Sequence, residues 1–219
     1  MYVHRWSDGT PVKLPVGKVV CIGRNYAEHA QELNNPVPDN PILFIKPASA
    51  ITAFSKELSL HAYLGEHHYE AELALLVGET ITRDTVSPLQ CIEGMGLALD
   101  LTLRALQSEL KAKGHPWERA KAFDRSCPLT GFVRKTPQSK ENYEYRFWQN
   151  GELKQHGQSS MMLFNLEKLL GEISDYFTLE PGDVVLTGTP KGVGALRHND
   201  RLTLQLGENT PFEAKVNLE

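Results

Sequence analysis

The stretch HYEAELALLVG, residues 68–78, is typical of a strand that runs into a hydrophobic core, yet it carries two glutamates. Side chains alternate between the two faces of a strand. One predicted face carries Tyr69, Ala71, Leu73, Leu75 and Val77, and the other carries His68, Glu70, Glu72, Ala74 and Leu76. Two buried carboxylates on one face repel each other, so the pattern indicates a shared cation unless that end of the strand is solvated.

A second predicted strand, GMGLALDLTL at residues 94–103, offers a third carboxylate, Asp100. Large side chains occupy one of its faces, and the face of Asp100 otherwise carries Gly94, Gly96, Ala98 and Thr102. We expect these small residues to leave room for a ligand. Together, Glu70, Glu72 and Asp100 form an all-oxygen set suited to a hard cation such as Mg²⁺, Mn²⁺ or Ca²⁺. Three protein ligands would leave coordination positions open for catalysis.

Other polar pairs flank these strands at helical spacing. If AEHAQE is helical, His29 and Glu32 share a face, and the carboxylate would raise the basicity of an imidazole acting as a general base. Arg104 and Gln107 have the same spacing at the start of the next predicted helix and would project toward the same site. For both pairs the alternative is a solvated helix face.

The segment LTGTPKGVG, residues 186–194, is a strand leading into a Thr/Gly-rich loop. Its amides and hydroxyls could bind a carboxylate, although a plain hairpin turn is equally compatible with the pattern. It matches neither the phosphate-binding P-loop spacing nor the dinucleotide-binding glycine pattern, so both of those functions are excluded.

Composition limits the class of protein. The 219 residues, 41% of them hydrophobic, suffice for one well-filled core, and no linker or internal repeat divides them. The net charge is −4 and no basic cluster is interleaved with aromatics, which argues against nucleic-acid binding. No apolar run is long enough to span a membrane, and the N-terminus has no signal core. Three cysteines without a C-x-x-C pair favour a reducing cytoplasm over a disulfide framework.

Short apolar runs with turn signals between them dominate the chain. Asn150-Gly151, between YEYRFWQ and ELKQ, is typical of a β-hairpin. Asn165 is placed to cap a helix beginning LEKLL, and Gly114 is placed to end the helix RALQSELKAK. This irregular mixture predicts a β-rich α+β fold and argues against a doubly wound βαβ arrangement.

Seven segments occur in the order found in one enzyme family: GRNYAEHAQE, FIKPASA, HYEAELALLVG, GMGLALDLTLRALQ, KAFDRSCPLTGF, NGELKQ and LTGTPKGVG. The chain resembles the fumarylacetoacetate hydrolase family, and most of all its short single-domain members that act as acylpyruvases or process oxaloacetate. The resemblance implies the mixed β-roll of the family's catalytic domain over residues 18–219, after a short N-terminal extension at residues 1–17. It also implies a homodimer.

The resemblance further implies a divalent ion, usually Mg²⁺, with Mn²⁺ or Ca²⁺ as alternatives. Its ligands would be the three carboxylates already described, Glu70, Glu72 and Asp100. His29 and Glu32 are similar to the family's water-activating pair, which lies on a mobile segment that closes over the substrate. Lys121, in a segment with no clear period of its own, matches the lysine that stabilises developing negative charge.

Four further positions would contact the substrate. By the resemblance, Arg104 and Gln107 orient the substrate and the metal-bound water, and Thr189 contacts a substrate carboxylate. Arg24 is our own addition to this set, for a distal carboxylate of the substrate.

The implied chemistry begins with a small 2-oxo acid bound to the ion through its carboxylate and keto oxygen. A metal-bound enolate would then serve oxaloacetate keto–enol tautomerisation, oxaloacetate decarboxylation and hydrolysis of acylpyruvates such as acetylpyruvate or fumarylpyruvate. One alternative is an isomerase or decarboxylase of 2-hydroxymuconate-type diacids in aromatic degradation. The other is a non-catalytic metal-binding protein, although such a protein would have no need of a base.

Overall fold

The computed structural model describes residues 2–33, 36–136 and 142–219. Within these ranges the strands are β1 Val19–Gly23, β2 Ile42–Lys46, β3 Ile51–Ala53, β4 Glu57–Leu60, β5 His67–Tyr69, β6 Ala71–Val77, β7 Ile92–Leu99, β8 Thr102–Leu103, β9 Cys127–Leu129, β10 Val133–Arg134, β11 Glu144–Gln149, β12 Glu152–Gln158, β13 Val184–Leu186, β14 Gly194–Ala195, β15 Arg201–Leu206 and β16 Phe212–Leu218. The α-helices in the same ranges are α1 Ala27–Glu32, α2 Arg104–Ala112, α3 Glu118–Lys121 and α4 Leu166–Ser174.

The described strands form three sheets, of which the two larger ones mix parallel and antiparallel neighbours and the smallest is antiparallel. The largest has the order β2-β1-β13-β6-β7-β9-β3, with β10 added beside β7. The second has the order β12-β11-β15-β16-β4, and the third has the order β14-β5-β8. Parallel pairs occur at β1 with β13, β3 with β9 and β4 with β16. The β-rich mixed architecture confirms the predicted α+β fold class.

The largest sheet buries side chains on both of its faces. On one face, Leu73 and Leu75 of β6 belong to a core that includes Tyr145 of β11 and residues of β15, β16 and α4. On the other face, Ala74 and Leu76 join a second cluster that contains Trp6. The predicted alternation is therefore confirmed within β6, and the face that carries Glu72 is apolar beyond that residue.

The small residues of β7 serve packing. A Cβ atom added at Gly94 would lie 2.9 Å from the Trp6 ring, and one added at Gly96 would lie 2.9 Å from the Phe132 ring. The expectation that these glycines leave room for a ligand is therefore wrong, because two aromatic side chains occupy that space. Asp100 comes after β7 ends, beyond this packed part of the face.

Several local predictions are confirmed. Asn150 and Gly151, with φ of 54° and 81°, turn β11 into β12, and the Asn165 side chain accepts a hydrogen bond from the Lys168 amide at 2.9 Å. Gly114, with φ of 65°, follows α2 and ends it. The three cysteines are unpaired. In the described ranges, no helix combines the length and the apolar character needed to cross a bilayer.

Candidate active site

Two of the three predicted metal ligands lie where neighbouring strands are interrupted, and the third, Glu72, lies within β6. Glu70 separates β5 from β6, and Asp100 follows β7. The Asp100 amide donates to the Glu70 carbonyl at 2.8 Å, so these two residues are adjacent across the strand pair. Glu72 is paired with Ala98 in the same ladder. One carboxylate oxygen from each acidic residue lies within 4.8 Å of the others, and all three residues are buried.

Three cations neutralise most of this acidic cluster. Lys121 Nζ donates to Glu70 Oε2 at 2.8 Å and to Asp100 Oδ2 at 2.6 Å. The Arg104 guanidinium donates to the other oxygen of Glu70. Lys46 Nζ lies 2.9 Å from Asp100 Oδ1. Lys46 was not predicted, although a lysine that ends the otherwise apolar strand ILFIK is a signal for a buried charge with a partner.

The two glutamates differ in their electrostatic surroundings. Burial alone would raise the pKa of Glu70, but the charges of Lys121 and Arg104 hold it below its usual range. Burial, together with the negative charges of Asp100 and Glu70, raises the pKa of Glu72 well above its usual range. Glu72 is therefore the carboxylate of the cluster whose ionised form the described residues stabilise least.

The donor set fits a hard divalent cation. Asp100 Oδ1 is buried and accepts no hydrogen bond from any described residue, since Lys46 Nζ approaches it outside hydrogen-bond geometry. Glu72 accepts a hydrogen bond from the Gly188 amide at 2.7 Å but pairs with no cation in residues 2–33, 36–136 and 142–219. An ion with oxygen ligands would satisfy both carboxylates.

The acidic cluster forms one wall of a cavity with about 40 Å³ of free space. Of the predicted site residues it is lined by Arg24, His29, Glu70, Glu72, Asp100, Arg104, Gln107, Lys121 and Thr189. Ile22, Phe44 and Trp117 add an apolar side to this cavity. Glu32 is the predicted residue that does not line it. Residues that are far apart in sequence are thus brought to one place, as expected.

The predicted pair on α1 is present. His29 is buried, and its Nδ1 lies 3.3 Å from Glu32 Oε2. The other oxygen of Glu32 accepts a hydrogen bond from the Gly192 amide at 3.0 Å, which ties α1 to the Gly-rich loop. The buried side chain of Asn25, just before α1, donates to the Thr187 carbonyl at 2.8 Å. Glu32 does not line the cavity but contacts His29, so it can fix the orientation of the imidazole ring.

Arg104 and Gln107 lie on one face of helix α2, and that face lines the cavity. An Arg104 terminal nitrogen donates to Gln107 Oε1 at 2.7 Å. The Nε of Arg104 is a buried donor with no acceptor among the described residues. Lys111, seven positions after Arg104 and not predicted, also lines the cavity.

Thr189 is held by a buried glutamine that was not predicted. The Thr189 hydroxyl donates to the Ala71 carbonyl at 2.9 Å and accepts from Gln155 Nε2 at 2.8 Å. Gln155 Oε1 accepts from the Ala71 amide at 2.8 Å, and the residue is 1% exposed. Gln155 therefore fixes both the Gly-rich loop and the backbone between Glu70 and Glu72. Nothing in the segment NGELKQ marks this residue as different from an exposed strand residue.

A family profile described as "Fumarylacetoacetate (FAA) hydrolase C-terminal" matches residues 18–217. The chain belongs to the fumarylacetoacetate hydrolase family. One relative in this family, the oxaloacetate tautomerase YcgM of Escherichia coli, is 44% identical over 207 residues, which cover 93% of this chain and 94% of the relative. The resemblance inferred from the seven segments is thereby confirmed.

Two solved structures share the fumarylacetoacetate hydrolase fold with this chain. The fumarylpyruvate hydrolase from Pseudomonas aeruginosa in complex with Mn²⁺ and pyruvate superposes with a TM-score of 0.91 at 31% identity, covering 100% of this chain and 96% of that one. The 2-hydroxyhepta-2,4-diene-1,7-dioate isomerase from Mycobacterium marinum gives a TM-score of 0.78 at 31% identity, covering 94% and 76%. A metal-bound relative agrees with the capacity of the acidic cluster to hold a divalent ion.

Proposed function

We propose that this protein is a Mg²⁺-dependent enzyme that acts on small 2-oxo acids through an enolate, with oxaloacetate keto–enol tautomerisation as its leading reaction. The observation that carries the proposal is the meeting of three carboxylates, an imidazole and a lysine in one cavity. The similarity to an oxaloacetate tautomerase favours this reaction. Oxaloacetate decarboxylation and acylpyruvate hydrolysis are side reactions or alternatives on the same site. Mn²⁺ or Ca²⁺ could replace Mg²⁺ on the same oxygen ligands.

The proposed ligands of the ion are Glu70, Glu72 and Asp100. When bound, the ion would polarise the 2-keto group of the substrate and stabilise negative charge on its oxygen. Arg104 Nε, a buried donor that has no acceptor in the described chain, supports a role in binding a substrate oxygen. Gln107 holds the guanidinium in place through its hydrogen bond.

His29 is the proposed base. With Nδ1 directed to Glu32, the proton on that nitrogen is held by the carboxylate and Nε2 is left as the basic atom. In tautomerisation, His29 would take a proton from C3 of oxaloacetate and return it to the 2-keto oxygen, giving the enol. Glu32 stabilises the positive charge that His29 gains in this step.

Lys121 is proposed to stabilise negative charge. Burial by itself lowers the pKa of Lys121, but the Asp100 and Glu70 carboxylates outweigh it and keep the pKa above its usual range. An ammonium that holds its proton this firmly is suited to stabilising an oxyanion and is a poor base. Thr189 is proposed to contact a substrate carboxylate, which requires its hydroxyl to turn away from the Ala71 carbonyl.

Acylpyruvate hydrolysis is the second candidate because a fumarylpyruvate hydrolase shares the fold. Here His29 would take a proton from water that attacks the 4-keto carbon. The C3–C4 bond then breaks, and pyruvate and a carboxylic acid are released. A diacid isomerase also shares the fold, which keeps the aromatic-degradation alternative as a third candidate. A non-catalytic metal binder is disfavoured because it would not require a buried imidazole paired with a carboxylate.

The cavity is narrow: its free space of about 40 Å³ is enough for about three or four water molecules at roughly 10–15 Å³ each. Helix α1 has six residues and is tied to the Gly-rich loop through Glu32 and Gly192. From the family resemblance we propose that α1 lies on a mobile segment that closes over the substrate.

The test is to strip metal with a chelator, restore Mg²⁺, and follow three signals in parallel on one preparation. These are loss of the oxaloacetate enol, formation of pyruvate, and cleavage of acetylpyruvate. We expect metal-dependent enol loss that is faster than pyruvate formation. His29→Ala should retain metal binding and lose turnover, whereas the exposed control His115→Ala should retain both. Absence of all three reactions from the metal-loaded protein would contradict the proposal.

Three further statements rest on the family resemblance and composition. We propose that the protein is a homodimer, that it lies in the cytoplasm, and that a single catalytic domain occupies residues 18–219 after an extension at 1–17. We propose no nucleic-acid or membrane partner. Light scattering of the purified protein would test the dimer, because a monomeric mass at micromolar concentration would contradict it.

A further inference from the structure

Two aromatic residues lie near the lysines of the acidic cluster. Phe44 and Lys46 are two positions apart on β2, so their side chains share one side of the strand, and Lys46 reaches Asp100. Trp117 precedes α3, and the Lys121 amide donates to its carbonyl at 3.0 Å, so these two residues are one helical turn apart. Both aromatic side chains line the cavity. The geometry of β2 and α3 therefore places one aromatic ring near each lysine.

The two rings form one apolar surface that begins at Lys121. The Phe44 and Trp117 ring centroids are 6.2 Å apart with an angle of 59° between the ring planes, within the range of contacting aromatic pairs. Lys121 Nζ lies 5.2 Å from the Phe44 ring centroid. Because this ammonium also contacts Glu70 and Asp100, the apolar surface adjoins the acidic cluster.

Neither aromatic ring is fully buried. Phe44 and Trp117 are half-buried, whereas Ile22 on the same side of the cavity is 2% exposed. A ligand that covers exposed aromatic surface is stabilised by the apolar area that it removes from water. A carboxylate in the same place would lose hydration, and Phe44 offers no hydrogen-bond donor to replace the water. This side of the cavity therefore favours an uncharged, apolar group.

We propose that Phe44 and Trp117 form a subsite for the acyl group of a 2,4-dioxo acid, and that a short alkanoyl group is preferred there to one that ends in a carboxylate. The inference rests on the proposed function, because it places the 2-oxo carboxylate end of the substrate at the acidic cluster. Atoms beyond C4 then lie along the two rings, whereas oxaloacetate ends at C4 and does not reach them. Butanoylpyruvate is thus favoured over fumarylpyruvate, which has the same chain length. Both aromatic residues determine specificity and take no part in proton transfer.

The test uses oxamates, in which a nitrogen atom replaces C3 of a 2-oxo acid. Because oxamates have no C–H bond next to the 2-keto carbon and no 4-keto group, none of the proposed reactions can consume them. Oxamate itself is the head group alone. N-Butyloxamate adds an alkyl chain, and N-(3-carboxypropyl)oxamate carries a carboxylate in place of the terminal methyl group of that chain. Dissociation constants of all three are measured by calorimetry with the Mg²⁺-loaded protein.

In the unmodified protein, N-butyloxamate should bind about tenfold more tightly than oxamate, because part of its chain is buried against the rings. N-(3-Carboxypropyl)oxamate should bind no more tightly than oxamate. Trp117→Ala should reduce the advantage of the butyl chain to less than about threefold and change oxamate binding less than about twofold. Phe44→Ala should act in the same direction, and Trp117→Phe should restore most of the advantage. Trp148→Ala is the matched control, since Trp148 is also half-buried and does not line this cavity.

The outcomes separate this inference from the proposed function. Binding of oxamate without a preference for the butyl chain, or tightest binding of the carboxylated chain, would overturn the subsite and leave the proposed function in place. Equal losses of oxamate and N-butyloxamate binding in Trp117→Ala would also overturn it, because Trp117 would then support the site as a whole. Absence of binding by all three ligands would overturn both proposals.

Discussion

Lys46 and Asp100 form an ion pair that is sealed from solvent. Lys46 Nζ lies 2.9 Å from Asp100 Oδ1, and the two side chains are 0% and 1% exposed. The hydrogen bonds of the ammonium go elsewhere, to the Ser126 carbonyl at 3.1 Å and the Ser126 hydroxyl at 3.0 Å among others. Lys46 therefore neutralises Asp100 while leaving one oxygen of that carboxylate without a hydrogen bond.

The first prediction concerns the loss of this counter-charge. Lys46→Met should lower the free energy of unfolding of the metal-free protein by about 3–5 kcal/mol, because the buried Asp100 loses one of its two cations and the carbonyls that Lys46 binds lose their donor. Added Mg²⁺ should recover part of the loss by supplying positive charge. Urea unfolding with and without Mg²⁺ measures both effects. The exposed control Lys56→Met should lower the free energy of unfolding by less than about 0.5 kcal/mol. An equally small loss in Lys46→Met would show that the Lys46–Asp100 pair is not needed for stability.

The second prediction concerns Glu72, the carboxylate of the cluster that has no cation partner in the described residues. Burial and the charges of Asp100 and Glu70 make ionised Glu72 costly, and its pKa is raised accordingly. Glu72→Gln keeps an oxygen that can accept the hydrogen bond from the Gly188 amide. The melting temperature of the metal-free protein should therefore stay the same or rise slightly. Metal affinity should fall by more than about tenfold, since even residues behind the ligands cost that much.

Calorimetric titration with Mg²⁺ and Mn²⁺, together with melting curves in chelator, separates these two effects of Glu72→Gln. The exposed control Glu79→Gln should change neither quantity. Unchanged metal affinity in Glu72→Gln would remove this residue from the ligand set. A large loss of stability in chelator would show instead that the ionised carboxylate is stabilised by the fold.

The acidic cluster could be predicted because its geometry is local. Glu70 and Glu72 are two residues apart at the start of β6, and the two-residue period that places them on one side is visible in the sequence, although Glu70 itself lies in the break before β6. The neighbouring strand then brings Asp100 beside Glu70 through a single backbone hydrogen bond. The His29 and Glu32 pair and the face shared by Arg104 and Gln107 follow from helical spacing in the same way.

The contacts that depend on distant segments could not be predicted. Lys46 and Asp100 are 54 positions apart in the sequence, and Gln155 and Ala71 are 84 positions apart. The sequence marks Lys46 as a buried charge but does not identify Asp100 as its partner, and Gln155 carries no local signal at all. The glycines of β7 were misinterpreted for the same reason, because a small residue makes room equally well for a ligand or for an aromatic side chain from another segment. In this fold the aromatic side chain is that of Trp6 at Gly94 and that of Phe132 at Gly96.

The third prediction concerns Gln155, which we expect to act through the backbone and Thr189. Gln155→Leu keeps the approximate shape of the side chain but leaves the buried Ala71 amide without its acceptor, which should cost about 1–3 kcal/mol of stability. Catalytic efficiency on oxaloacetate should fall at least about tenfold, because Thr189 and the backbone between the glutamates lose their common support.

A double-mutant cycle with Thr189→Val distinguishes a positioning role of Gln155 from a purely structural one. If Gln155 acts through Thr189, the losses of kcat/KM in the double variant should be smaller than the sum of the single losses. Strictly additive losses would show that the two residues act independently.

The fourth prediction concerns His4, which anchors the N-terminal segment as a neutral imidazole. The residue is fully buried, and its Nε2 donates to the Gly182 carbonyl at 3.0 Å while Nδ1 lies 3.3 Å from the Tyr2 hydroxyl. Burial lowers the pKa of His4, and the bond to Gly182 opposes this only in part. The unfolded chain therefore binds a proton at His4 at a higher pH than the folded protein does.

Stability should consequently fall as the pH drops from about 6.5, where an unfolded histidine titrates, toward the lower pKa of the folded state. His4→Gln keeps a donor for Gly182 and removes the titrating group. Melting temperatures of this variant should depend less on pH between about 7 and 5 than those of the unmodified protein, whatever their absolute values. The exposed control His115→Gln should keep the original slope. An unchanged slope in His4→Gln would show that His4 is protonated in the folded protein, or that its protonation is not coupled to folding.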